Sequence, residues 1–279
     1  MHHSVKVSDD TALHYVEAGT GRPLLLIPGW SQSAAEFVHQ IDDLGRVARV
    51  IAIDMRGHGE SEKPENGYRV QRLAKDLYDV ICRLGLEEPD ALGHSMGCSV
   101  IWAYLSMFGN ERPLGRLILG DQAPATVAQP DWDAQTIADA GCAFADFQVL
   151  AKFENRVVAT TDAAGTVDVI RGMFTSSISE KNLAWIAAEN IKLPRHHAAE
   201  LHHDHVSLDW RSEIPTIRNR TLVIGGESSI FSARSQHWIG EQIPGARVEI
   251  FSTAEGGAHF MFFENPGKFN ALVRDFLAQ

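Results

Sequence analysis

Cysteine is scarce. Cys82, Cys98 and Cys142 are the only three, and their spacing fits neither a closed disulfide set nor a metal knuckle. That usage is typical of a reducing compartment, so a cytoplasmic location is the expectation. Positive charge is in deficit: 25 Lys and Arg stand against 36 Asp and Glu, a formal net charge of −11 over 279 residues. Binding to phosphate backbones needs a surplus of cations, so nucleic acid is excluded as a partner. Long apolar runs are also missing. No stretch approaches the ~20 apolar residues of a membrane helix. The first ten residues, MHHSVKVSDD, have no apolar segment of the kind a secretory signal needs. The expectation is a soluble monomer or homodimer acting on a small molecule, with no membrane partner.

What is present is an alternation of short apolar runs with longer helical patterns, the mark of a parallel sheet with crossover helices. PLLLI (23–27), RVIAID (49–54), DALGHS (90–95), RLILGD (116–121), RTLVIGG (220–226) and RVEIF (247–251) read as strands. Residues 70–86, 98–108 and the C-terminal PGKFNALVRDFLAQ read as helices, with apolar residues three and four apart. Between Asp121 and Arg220 the rhythm changes to helical patterns alone. A hundred residues are too many for a loop. The sequence therefore predicts a core of residues 1–121 and 220–279 with a helical cap, 122–219, inserted between.

GHSMG (93–97) lies between a predicted strand and a predicted helix. A Gly-x-Ser-x-Gly at such a junction permits a turn so tight that the serine is strained and its neighbours cannot carry side chains. Ser95 then stands at a helix N-terminus, where free N–H groups favour negative charge.

LLIPGW (25–30), DMRGHGES (54–61), GHSMG and GGAHFMFFENP (256–266), in that order and spacing, resemble the α/β-hydrolase superfamily along nearly the whole chain. The resemblance implies an eight-stranded, mostly parallel sheet with a helical cap inserted after the sixth strand, and no cofactor or metal. It implies Ser95 as nucleophile, His259 as base, and the backbone N–H groups of Trp30 and Met96 as the oxyanion hole. Many relatives have His-Gly where this chain has Pro28-Gly29, which alters the pocket floor but not the donor. The acid is the departure. Its usual place, three residues after the last glycine of RTLVIGG, holds Ser229. Serine cannot carry the charge that orients an imidazole. Asp121, ending the neighbouring strand, is the first alternative, and strands only about 4.8 Å apart bring both ends within reach of one histidine. Glu227 is the second. Asp54, within DMRGHGES, reads as part of a structural loop.

Relatives with the acid on the earlier strand include cofactor-free dioxygenases that cleave 3-hydroxy-4-quinolones, in which the His–Asp pair removes a hydroxyl proton and the anion reacts with O₂. Two chemistries are thus implied: a serine hydrolase for a small, fairly apolar ester or lactone, or such a dioxygenase. A non-catalytic receptor on the same fold is a third possibility. Serine at the elbow argues against haloalkane dehalogenase or epoxide hydrolase chemistry, which needs a carboxylate nucleophile. The five histidines of RHHAAELHHDH (196, 197, 202, 203 and 205) read as a solvated end of the cap near the pocket entrance rather than a metal site. Trp132, Phe144, Phe147, Phe153, Phe174 and Trp185 read mostly as cap core, with one or two facing the site.

Overall fold

In the computed structural model, which describes residues 1–279, eight strands form one sheet. They are β1 (His2–Lys6), β2 (Ala12–Ala18), β3 (Pro23–Ile27), β4 (Arg49–Ile53), β5 (Asp90–His94), β6 (Leu117–Gly120), β7 (Thr221–Gly226) and β8 (Arg247–Phe251). The spatial order is β1-β2-β4-β3-β5-β6-β7-β8. The β1–β2 and β2–β4 pairs are antiparallel and all others parallel. The order of the parallel strands reverses about β3 and β5, and ligands bind outside the carboxyl ends of strands at such a switch point.

Parallel strands read as unbroken apolar runs because helices cover both faces. Within β3, Leu25 and Ile27 join a core of 38 residues, while Leu24 and Leu26 point into another of 26. The first core receives α2 (Val70–Arg83) and α3 (Met96–Phe108); the second receives α1 (Val38–Leu44) and α11 (Pro266–Ala278). A helix α9 (Ala233–Gln242) follows β7, and the single turn α10 (Met261–Glu264) precedes α11. The stretch after β6 contains no strand of the sheet; it forms α4 (Ala134–Ala140), α5 (Phe147–Ala159), α6 (Ala163–Ile170), α7 (Glu180–Asn190) and α8 (Arg195–Val206). No helix is long and apolar enough to cross a membrane.

Two strands went unread in the sequence. β1 and β2 carry His, Ser, Lys and Glu at outward positions, and β1 alternates exposed and half-buried along its length. Their polarity follows from being the antiparallel edge, where one face is left to water. The histidine-rich segment also differs from expectation. His197, His202 and His205 are buried on α8, and only His196 and His203 are exposed.

Candidate active site

The elbow is built by close packing. Ser95 takes φ 53° and ψ −127°, a conformation rare for a residue with a side chain. A Cβ on Gly97 would lie 2.1 Å from the Ile27 carbonyl oxygen, and one on Gly93 would lie 2.6 Å from the Gly97 carbonyl carbon. Both positions are closed to any other residue. Strand pairing fixes the turn, since the Ser95 N–H donates to the Gly120 carbonyl at 2.8 Å. Met96 opens α3, and its N–H, like that of Trp30 on the loop after β3, has no acceptor within the protein. Gly29 packs these loops together: a Cβ there would meet Ser95 Cβ at 2.9 Å.

Asp121 follows β6 with φ 53° and is fully buried. Its N–H donates to the Ile224 carbonyl at 2.7 Å, which ties the end of β6 to β7. The His259 Nδ1–H donates to Asp121 Oδ2 at 2.6 Å. A second donor reaches the same oxygen, the hydroxyl of Ser229. The residue in the family's usual acid position thus binds the carboxylate that stands one strand away. Glu227 does not take part: it is exposed and accepts from the Thr253 N–H at 3.0 Å. Asp54 accepts the N–H groups of Ala34 and Glu60 at 2.6 and 2.9 Å, and His14 Nδ1 lies 2.7 Å away, a loop-holding role.

Burial governs the titration of this pair. Removing the imidazole from water pushes His259 well below the ordinary histidine range and keeps it neutral. The same desolvation pushes the Asp121 carboxyl up, with the Ser229 hydroxyl and nearby His94 acting in the opposite direction. No hydrogen bond joins Ser95 Oγ to His259 Nε2; both residues line the same cavity. Such links are often long in the absence of substrate.

His94, beside Ser95, braces the site from below. Its Nε2–H donates to the His259 carbonyl oxygen at 2.7 Å, and its Nδ1 lies 3.0 Å from Gln32 Oε1. That same Oε1 accepts the Gly29 N–H at 2.9 Å, which fixes the Gln32 amide; with Nε2 carrying the only hydrogen of the neutral His94 ring, Nδ1 makes no hydrogen bond to it. Phe231 and Phe260 stand edge-on to the His259 ring at centroid distances of 5.4 and 5.7 Å. Phe262 packs on His94 at 4.6 Å.

The cavity above Ser95 has a volume of about 340 Å³ and is mostly apolar. Trp30 forms part of its wall, with the indole N–H donating to the Ala198 carbonyl of α8 at 2.7 Å. Of the six aromatic residues expected in the cap, Phe144 and Phe153 face the cavity. Phe147 is exposed, and Trp132 lies under the Arg211 guanidinium. No three His, Cys, Asp or Glu side chains converge as ligands of a metal. All three cysteines are free thiols.

Sequence reasoning missed Gln32 and the bond from Ser229 to Asp121; it set His202 and His205 near the pocket, where they do lie, but read them as solvated when they are buried. For the two histidines a signal existed: Ala198, Leu201, His202 and His205 recur at helical spacing, which places them on one buried stripe. Nothing local marks the bond of Ser229 to Asp121, because the partner stands at the end of another strand, and Gln32 is marked only by its place three residues after Gly29.

Comparison with known proteins places this arrangement. Residues 22–266 match the family model described as alpha/beta hydrolase fold. The AB hydrolase superfamily protein YisY of Bacillus subtilis is 25% identical over 285 residues, 99% of each chain. A soluble epoxide hydrolase of Corynebacterium sp. is 35% identical over 130 residues, but the match spans only 47% of this chain and 44% of that one. Among solved structures, an esterase from Exiguobacterium antarcticum superposes with a TM-score of 0.89 at 23% identity, all of both chains covered. The enol-lactonase of Burkholderia xenovorans LB400 gives 0.83 at 22%, covering 99% of this chain and 100% of that one. With the family model spanning most of its length, the chain belongs to the α/β-hydrolase fold family.

Proposed function

We propose that the protein is a serine hydrolase for a small, fairly apolar ester or lactone. The observation that carries this reading is the strained Ser95 elbow beside a buried His259–Asp121 pair and two unused N–H groups. Ser95 Oγ attacks the substrate carbonyl while His259 Nε2 takes its proton. Asp121 holds the imidazole in the right tautomer and stabilises the imidazolium as it forms. The N–H groups of Met96 and Trp30 receive the oxyanion, each worth ~3–4 kcal/mol in comparable sites. His259 then protonates the leaving group, and water, activated by the same imidazole, releases the acyl group. Among the relatives, the epoxide hydrolase fits least, because the elbow presents a hydroxyl rather than a carboxylate nucleophile. Ser95→Ala is expected to lower kcat for 4-nitrophenyl butyrate by about 10⁴-fold or more, and a fluorophosphonate is expected to label Ser95. Full turnover by Ser95→Ala would refute the reading.

One observation favours a second reading, a cofactor-independent dioxygenase: the acid stands after β6. His259 would then deprotonate the ring hydroxyl of a 3-hydroxy-4-quinolone, and Ser95 would only bind it. Oxygen uptake with that substrate, largely retained in Ser95→Ala, is the outcome that would select it.

A further inference from the structure

The cavity is lined by a second pair of polar side chains, on helix α8. This helix turns His202 and His205 into the cavity, one helical turn apart and 7% and 4% exposed. In each ring Nδ1 is sealed off without a hydrogen-bond partner, the nearest charge being Glu154 Oε1 at 3.6 Å from His202. That distance is too long for a hydrogen bond. Nε2 of each ring also has no hydrogen-bond partner in the protein and, unlike Nδ1, is not sealed from solvent. Aromatic faces hold the His202 ring in place, with Trp30 edge-on at 4.8 Å and Phe153 at 4.8 Å. Burial keeps both imidazoles neutral. No Lys, Arg, Asp or Glu lines the cavity.

We propose that His202 and His205 form a recognition subsite for an uncharged hydrogen-bonding group, a carbonyl or hydroxyl, that the substrate carries in addition to its scissile bond. This deepens the hydrolase reading and rests on Ser95 marking the reacting end. A purely apolar substrate filling the cavity strips water from both Nε2 atoms and gives nothing back, and unpaired buried polar groups are what make a site reject such an analogue. A carboxylate is disfavoured because nothing fixed and cationic meets it. The substrate class is therefore a neutral, bifunctional ester or lactone, such as a keto or hydroxy acyl compound.

The test uses matched 4-nitrophenyl esters: 4-oxopentanoate, 5-oxohexanoate and 6-oxoheptanoate against pentanoate, hexanoate and heptanoate, with hydrogen glutarate as the charged member. Binding is measured by calorimetry to the Ser95→Ala protein, so the result does not depend on turnover. Turnover by the intact enzyme reports separately on the hydrolase reading. At least one keto ester is expected to bind fivefold or more tighter than its plain partner, and the glutarate monoester to bind no better than hexanoate. Adding His205→Phe or His202→Phe is expected to abolish that preference, while His205→Gln, which keeps an N–H, retains part of it. Keto and plain esters within fivefold at every length overturn the proposal, as does a preference that survives both phenylalanine substitutions or tightest binding of the monoanion. Should the phenylalanine variants fail to fold, the matched pairs alone decide.

Discussion

The sheet and helix α8 contribute polar groups to the cavity in opposite ways. On the sheet, polar groups are tied to one another by strand ends: Ser95 to β6, Asp121 to β7, His259 to Asp121, and His94 to the His259 carbonyl. The sheet leaves Asp121 Oδ1 unpaired, while on α8 neither ring nitrogen of His202 or His205 has a hydrogen-bond partner in the protein. The difference separates two jobs. A reacting group must be held by its surroundings before substrate arrives, whereas a recognition group keeps its bonding capacity for the ligand. On this account the sheet sets the chemistry and helix α8 sets the substrate.

Lowering pH stresses both sets of groups at once and is expected to have the largest effect. His58, whose Nε2 accepts the Ser31 N–H outside the cavity, is pushed down to about 4, His94, His205 and His259 to about 3, and His202 in the same direction, all by burial. The unfolded chain takes up these protons near pH 6.5 while the folded one does not. Stability therefore falls as pH drops below 6.5. The raised carboxyls of Asp121 and Glu36 work the other way but are fewer. Urea unfolding at pH 7.5, 6.0 and 5.0 should show a steep decline; a flat profile would mean that these rings are hydrated or charged in the folded state.

Disturbing only the groups on the sheet comes next. Gly97→Ala places a methyl group against the Ile27 carbonyl, and about 3 kcal/mol of stability should be lost in thermal or urea melts. Equal stability would mean that the elbow relaxes easily. Ser229→Ala is gentler. It removes one of two donors to Asp121 Oδ2 and should lower kcat/KM about tenfold, with KM nearly unchanged, since a hydrogen bond to a charged group is worth about 1.5 kcal/mol. A change confined to KM would place Ser229 in substrate binding instead.

The same contrast explains what the sequence made legible. The elbow could be read because its glycines leave no alternative residue, and the parallel strands because burial on both faces makes them continuously apolar. Asp121 could be inferred from a gap, since a serine at 229 left His259 without its usual carboxylate. That Ser229 would bind Asp121 was not visible, because the contact spans 108 positions and exists only once β6 and β7 are side by side. Helix α8 misled for a different reason: histidine counts as polar in a sequence, yet here it occupies a buried stripe with Ala198 and Leu201. β1 and β2 were missed because edge strands facing water lack a continuous apolar signal.

The central claim is that the carboxylate acting on His259 comes from the end of β6. Comparing kcat/KM of Asp121→Asn and Glu227→Gln on one ester, with thermal melts to show that both fold, tests it directly. The expected result is a loss of about 10³- to 10⁴-fold for Asp121→Asn and a value within twofold of the parent for Glu227→Gln. An Asp121→Asn enzyme that retains a tenth or more of the parent activity would contradict the account.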